Sequence, residues 1–174
     1  DNEFIIGASN GRMVRFYETD VRVMGRTAAG VRGIDLGDAI VVGAEVVQED
    51  EDVLIVTEKG YGKKTPISEY RLTRRGSKGV KALNVTDKNG MLVSVRALSP
   101  DEEMDLMIIT DSGIIMRMKT AQISTLKRAT QGVRLINLKD EQKVATVALV
   151  EKEKDDEQPI TESVVENKEE TNVE

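Results

Sequence analysis

The chain has 174 residues, of which 39% are hydrophobic and 32% are charged, a balance that allows a soluble protein to bury a core. It contains no Cys and no His, which excludes disulfides, zinc sites built from these residues, and mechanisms that need a Cys nucleophile or a His base. Aromatic residues make up only 3%, which disfavours proteins that read single strands by base stacking. No apolar run approaches the roughly 20 residues of a membrane span, so we expect a cytoplasmic protein with no membrane partner.

Three pairs of glycines divide the chain into repeats. In each repeat a glycine is followed nineteen residues later by a second glycine, and then by Val and a basic residue. The pairs are Gly11 and Gly30, Gly60 and Gly79, and Gly113 and Gly132. Three identical spacings predict three copies of one structural unit.

The first repeat, residues 1–48, has the pattern of four short strands. An apolar run at 4–6 leads through an Asn-Gly turn into a second strand at 13–16. A third strand is predicted to begin at the second glycine and its valine, residues 30–31, and a β-branched run at 40–47 is the fourth. Four strands in a unit of this size are typical of one propeller blade.

The second repeat, residues 49–100, and the third, residues 101–150, follow the same order. Their clearest predicted strands are 53–56, 92–98, 106–109, 114–118 and 144–150. The sequence therefore predicts an all-β, propeller-like array of three four-stranded blades. Because propellers typically need about four to eight blades to close, we expect a partial ring that belongs to a longer array.

Residues 151–174 differ in composition from the repeats. They carry three Lys against ten Asp or Glu and have little apolar periodicity, which predicts an acidic, disordered tail. Residues 1–150 hold 22 basic and 21 acidic side chains, so the tail accounts for the net charge of −6.

The basic residues recur at one place in every repeat. The windows 12–32, 61–81 and 114–134, which follow the turn glycines, have net charges of +3, +6 and +5. Equivalent positions of adjacent blades lie on one side of the array, so we expect a basic stripe that binds a polyanion by releasing its counterions. The candidate contacts to duplex DNA are Arg12, Arg15, Arg22, Arg26, Arg32, Lys63, Lys64, Arg71, Arg74, Arg75, Lys78, Lys81, Arg117, Lys119, Lys127, Arg128 and Arg134. Because no recognition helix is predicted, binding would depend on the backbone and the shape of the DNA.

No catalytic centre or metal site is expected. Tyr61 and Tyr70 lack the neighbouring acidic cluster that a DNA-cleaving tyrosine needs for its metal ions, so we expect packing or rim contacts. The acidic runs at 49–52 and 101–103 lack the glycine-spaced pattern of a calcium loop, and linkers between blades explain them better.

Longer motifs in all three repeats resemble the late blades of the C-terminal domain of the A-type subunit of DNA gyrase. They lie at residues 21–34, 60–66, 108–113 and 130–133, and the acidic tail matches in position. Residues 73–79, Thr-Arg-Arg-Gly-Ser-Lys-Gly, resemble a degenerate copy of the family's box Gln-Arg-Arg-Gly-Gly-Lys-Gly. Thr replaces the Gln and Ser replaces one Gly, so the resemblance does not imply that this chain supports supercoiling by itself.

The resemblance implies a β-pinwheel, a disc of blades that exchange strands, with duplex DNA wrapped around a basic rim. It implies partnership with the rest of the A-type subunit and with the B-type subunit in an A2B2 gyrase that introduces negative supercoils. No cofactor is expected here, because ATP, magnesium and the cleaving tyrosine would belong to other parts of that enzyme.

Three other interpretations stay open at the level of sequence. The A-type subunit of topoisomerase IV shares the blade pattern. A propeller scaffold could use the basic stripe to bind an acidic protein. A hydrolase propeller is disfavoured, since the chain lacks His and paired central carboxylates.

Overall fold

The computed structural model describes residues 2–139 and 141–152, so the predicted acidic tail from 153 onward lies outside the described residues. Within them there are eleven strands and three single turns of 3-10 helix. In chain order the strands are β1 (Glu3–Ala8), β2 (Arg12–Tyr17), β3 (Val41–Val47), β4 (Asp52–Thr57), β5 (Tyr61–Pro66), β6 (Val80–Lys81), β7 (Leu92–Leu98), β8 (Met104–Thr110), β9 (Ile115–Lys119), β10 (Val133–Arg134) and β11 (Val144–Glu151). No helix in this part of the chain has the length and apolarity of a membrane span.

The centre of each repeat is an antiparallel hairpin with a third strand on one side. The hairpins are β1–β2, β4–β5 and β8–β9, and the third strands are β3, β7 and β11. A tight turn closes each hairpin at the first glycine of the repeat, which has a positive φ at Gly11, Gly60 and Gly113. The strands predicted from apolar runs are therefore confirmed in all three repeats.

The fourth strand of a sheet comes from the following repeat. β6, in the second repeat, pairs with β2 of the first, and β10, in the third, pairs with β5 of the second. Further backbone bonds extend both joins, from Thr73 N to Arg15 O at 2.7 Å and from Leu126 N to Lys64 O at 2.8 Å. This exchange of strands confirms the β-pinwheel architecture.

Two features differ from the expectation of three four-stranded blades. The third sheet has three strands in the described residues, in the order β11–β8–β9, and residues 30–31 of the first repeat form no strand there. Both differences have one cause, because a two-residue strand gains its hydrogen bonds only from the edge of a neighbouring unit. The strands predicted at the second glycine are thus present in the second and third repeats, as β6 and β10.

The hydrophobic core lies between neighbouring sheets. One buried cluster joins Ile5 and Met13 of the first sheet to Ile55, Tyr70 and Leu83 of the second repeat. A second cluster continues between the second and third sheets. Since each unit completes the core of the next, the relative positions of the units are fixed by packing as well as by exchanged strands.

The second glycine of each repeat allows the exchanged strand to approach closely. Gly79 has a φ of +67°, and a Cβ there would lie 2.1 Å from the Met13 carbonyl oxygen. Gly132 has a φ of +78°, and its Cβ would lie 2.9 Å from the Gly62 oxygen. The equivalent Gly30 has a φ of +85°, but nothing lies within 4 Å of its Cβ position among the described residues.

We expect Gly79→Ala to destabilise the protein more than Gly30→Ala. Both substitutions carry the strain of an alanine at positive φ, but only the first forces a methyl group against backbone. The difference in the free energy of unfolding should be about 1–3 kcal/mol, measured by urea denaturation. Equal losses for the two variants would contradict close approach as the reason for this glycine.

Candidate nucleic-acid interface

Arg15 is a predicted DNA contact that is in fact buried. Its guanidinium donates to the carbonyl oxygens of Ile67 at 3.0 Å and Tyr70 at 2.8 Å, and its Nε bonds to the Glu3 carboxylate. All of its charge is thus used inside the protein, at the junction of the first and second units. The prediction that Arg15 contacts DNA is wrong, and the residue instead ties two units together.

Lys63 is the second predicted contact that is buried. Its ammonium group donates to the carbonyl oxygens of Lys127 at 2.8 Å and Arg128 at 2.5 Å, and to Thr130 Oγ1 at 3.1 Å. Burial, and then the nearby Arg128, lower the pKa of Lys63 to about 8, so it is still largely protonated at neutral pH. Its role as a DNA contact is also wrong, because it holds the loop that carries Lys127 and Arg128.

Basic residues from different repeats are neighbours along the seams where strands are exchanged. Arg75 Nη1 donates to the Arg32 carbonyl oxygen at 2.8 Å, Arg12 is the register partner of Lys81, and Arg128 Nη1 donates to the Lys81 oxygen at 2.6 Å. Together with their exposed neighbours these residues form what we call the basic band. Its members are Arg12, Arg32, Arg74, Arg75, Lys78, Lys81, Lys127 and Arg128.

Residues 73–79 lie against the first unit and use their backbone within the protein. The Gly76 amide donates to the Gly33 oxygen at 2.7 Å, and the Gly79 amide donates to its neighbour Ser77. These two amides are therefore not available to bind a phosphate. The charged side chains of Arg74 and Lys78 remain exposed.

Three predicted contacts on the second and third sheets lie among acidic groups. Lys64 and Lys119 line a hollow of about 390 Å³. The acidic residues of the same hollow are Asp52, Glu102, Glu103 and Asp105. Arg117 bonds to Asp105 Oδ2 at 2.7 Å and to the Glu151 carbonyl oxygen at 3.0 Å. The described contacts do not join these three cations to the basic band.

Arg22, Arg26 and Arg71 are exposed on irregular segments, the first two between β2 and β3. The side-chain bond described for Arg71 is a long one, to the Leu72 oxygen at 3.5 Å. These residues are accessible, but no described contact places them against the basic band.

The profile of a family described as "DNA gyrase C-terminal domain, beta-propeller" matches residues 2–48, 51–99 and 105–151, which is once per repeat. The chain belongs to this family. It is 46% identical to the A-type subunit of DNA gyrase from Staphylococcus aureus strain MRSA252 over 167 residues, which are 94% of this chain and 18% of that protein. For strain NCTC 8325 the identity is also 46%, over 89% of this chain and 18% of the relative. The chain thus spans about a fifth of the length of these curated relatives.

Solved structures of the family and of a related enzyme have the same architecture. A DNA gyrase A C-terminal domain is 24% identical and superposes with a TM-score of 0.75, over 86% of this chain and 50% of the other. A C-terminal domain of DNA topoisomerase IV is 25% identical with a TM-score of 0.77, over 86% and 47%. The gyrase-type fold predicted from the motifs is confirmed.

The two tyrosines of the second repeat have different environments in this gyrase-type domain. Tyr70 is buried in the first core cluster, and burial raises its pKa to about 12, which suits packing. Tyr61 lies at the edge of a hollow, where its hydroxyl accepts a bond from Arg134 Nη2 at 3.0 Å. The Arg134 guanidinium also lies 5.5 Å from the Tyr61 ring centre, and the Lys88 ammonium lies 5.9 Å from it.

Four lysines near Tyr61 were missed by the sequence windows. Lys59, Lys88, Lys139 and Lys143 lie in turns outside 61–81 and 114–134, and they line one hollow with Arg134. The turns that carry them are far apart in sequence and come together only when β10 pairs with β5. A count of charge within each repeat could not reveal this cluster.

Proposed function

We propose that the chain is the DNA-binding and DNA-wrapping module of the A-type subunit of a DNA gyrase, without catalytic residues of its own. The observation that carries the proposal is that basic residues of successive repeats are neighbours at the exchange seams, through backbone pairing and bonds to each other's carbonyl oxygens. Membership of the gyrase family supports it, and 46% identity to the A-type gyrase subunit over most of the chain favours gyrase over topoisomerase IV.

The basic band would bind the phosphate backbone by releasing condensed counterions, without reading bases. Exchanged strands and shared cores hold one unit rigidly against the next, so the band has a fixed path from repeat to repeat. A duplex that follows a curved path must bend, at a cost of about 1–6 kcal/mol per 20–30 base pairs. Several charge-assisted contacts in each unit offset that cost.

In the complete enzyme the wrapped DNA would present a second segment with the handedness needed for negative supercoiling. We assign the partners as duplex DNA, the remainder of the A-type subunit, and the B-type subunit in an A2B2 assembly in the cytoplasm. ATP, magnesium and the cleaving tyrosine would act in parts of that assembly other than this chain.

Titration with duplex DNA of several lengths tests this function. Between about 50 and 200 mM salt, six to ten phosphate contacts predict a loss of affinity of about 10³–10⁵-fold. A wrapping module should also bind longer duplexes more tightly until the band is filled. A scaffold that binds acidic proteins, the second candidate, would show no dependence on duplex length.

A further inference from the structure

A cationic hollow lies between the second and third units, on the side of the hairpin turns. Its volume is about 260 Å³, and we call it the Tyr61 hollow. The residues that define it are Lys59, Tyr61 and Lys88 from the second repeat and Arg134, Lys139 and Lys143 from the third. Five cations therefore line it, against the single carboxylate of Glu141 among its described lining residues.

The cations of the hollow are only partly neutralised. Lys143 pairs with Glu58 at 3.1 Å, and the Lys59 ammonium bonds to the Asp87 carbonyl oxygen. In the described part of the chain, the ammonium groups of Lys88 and Lys139 have no hydrogen bond or ion pair. Both ammonium groups can therefore bind an anion that enters the hollow.

Tyr61 supplies a neutral donor at the same place. Because its oxygen already accepts from Arg134 Nη2 and, at 3.3 Å, from Arg134 Nε, its own hydroxyl hydrogen is available to an acceptor. Lysine point charges around one hydroxyl donor suit a phosphate group, which offers several acceptor oxygens.

The fold itself does not require these lysines, as the equivalent junction between the first and second units shows. At the first junction Asn10 precedes the turn glycine, whereas at the second junction Lys59 does. The carbonyl oxygen of Met91, at the first junction, accepts a bond from a turn amide, and the carbonyl oxygen of Lys143, at the second, does so too. Thr86 begins a loop at the first junction, and Lys139 begins the equivalent loop at the second. The first junction has its own hollow, lined by the carboxylates of Asp35 and Asp38 and by the cations of Arg12 and Lys78, so it lacks the excess of positive charge of the Tyr61 hollow.

We propose that the Tyr61 hollow binds a phosphate of the DNA backbone and makes the second junction a stronger anchor for DNA than the first. This inference rests on the proposed function and deepens it. Arg134 is the equivalent in β10 of the band residue Lys81 in β6, so the hollow includes the position at which the band recurs at the second junction. A duplex on the band would thus gain contacts on the turn side at this junction.

The test is the double substitution Lys88→Gln and Lys139→Gln, compared with Arg96→Gln and Lys152→Gln. The control removes the same net charge from positions outside the band and the hollow. At about 0.1 M salt the hollow variant should bind a duplex about 10–60-fold more weakly, with a salt slope reduced by about one to two. An affinity and slope equal to those of the control would overturn the inference.

Inorganic phosphate separates a DNA site from a site for a free anion. The melting temperature is measured in phosphate and in chloride at equal ionic strength, for the wild type and the hollow variant. One contrary outcome is that phosphate raises the melting temperature of the wild type but not of the hollow variant while both proteins bind DNA equally well. That result would overturn the inference in favour of a site for a free anion. Failure of the wild type to bind duplex DNA at low salt would instead reject the proposed function, and the inference with it.

Discussion

Arg15→Met should lower the free energy of unfolding by about 3–5 kcal/mol, the usual cost of removing one partner from a buried ion pair. The substitution leaves the Glu3 carboxylate without its cation and the carbonyl groups of Ile67 and Tyr70 without their donor. Methionine keeps most of the aliphatic volume, so the loss reflects charge and hydrogen bonds more than a cavity. Urea denaturation measures the change.

The matched control for this prediction is Arg96→Met. Arg96 pairs with Glu45 at 3.0 Å on the surface, where its side chain is 44% exposed, and such pairs contribute about 0–1 kcal/mol. Arg15→Lys, which keeps the charge but loses the planar fork, should lie between the two. If Arg15→Met were no more destabilising than Arg96→Met, the role of Arg15 as a tie between units would be rejected.

The triple substitution Arg74→Glu, Lys78→Glu and Lys127→Glu should reduce duplex affinity by at least about 10²–10³-fold near 0.1 M salt. Each lost phosphate contact removes close to one unit of salt slope, and reversal adds repulsion. The three side chains are exposed and lie on both sides of the exchange seams. Arg12, Arg75 and Arg128 are left in place because they also bond to backbone carbonyls between units.

Arg96→Glu combined with Lys152→Glu is the control for charge reversal itself. It lowers the net charge by four outside the band, so long-range repulsion alone should weaken binding far less than the triple variant does. Unchanged unfolding curves for both variants would show that the loss of affinity is not a loss of fold. A triple variant that bound as tightly as this control would contradict the basic band.

The sequence predicted the fold well because its strongest signals are local. Apolar runs such as 53–56 coincide with buried strands, and the paired glycines coincide with turns and with the close approach of Gly79 and Gly132. The pattern of residues predicted the short strands β6 and β10 at the second glycine, but it could not assign the sheet that each joins, because a two-residue segment such as β6 takes its partners from the neighbouring unit. Non-local pairing of this kind leaves no periodic pattern in the chain.

The candidate site was only partly predictable for a related reason. Charge counts locate Arg74 and Lys78 correctly on the surface, but they treat Arg15 and Lys63 as equivalent to them. Burial depends on which carbonyl groups another repeat brings nearby, and the composition of a window does not contain that information. The Tyr61 hollow was missed because strand exchange assembles it from separate turns.

Energy transfer between dyes at the two ends of a duplex of about 40 base pairs tests the central claim most directly, since it reports bending. With saturating protein at low salt, transfer should rise as the duplex follows the basic band, and it should return to the free-DNA value in the triple variant. Binding that left the end-to-end distance of the duplex unchanged would contradict a curved, basic path across the units.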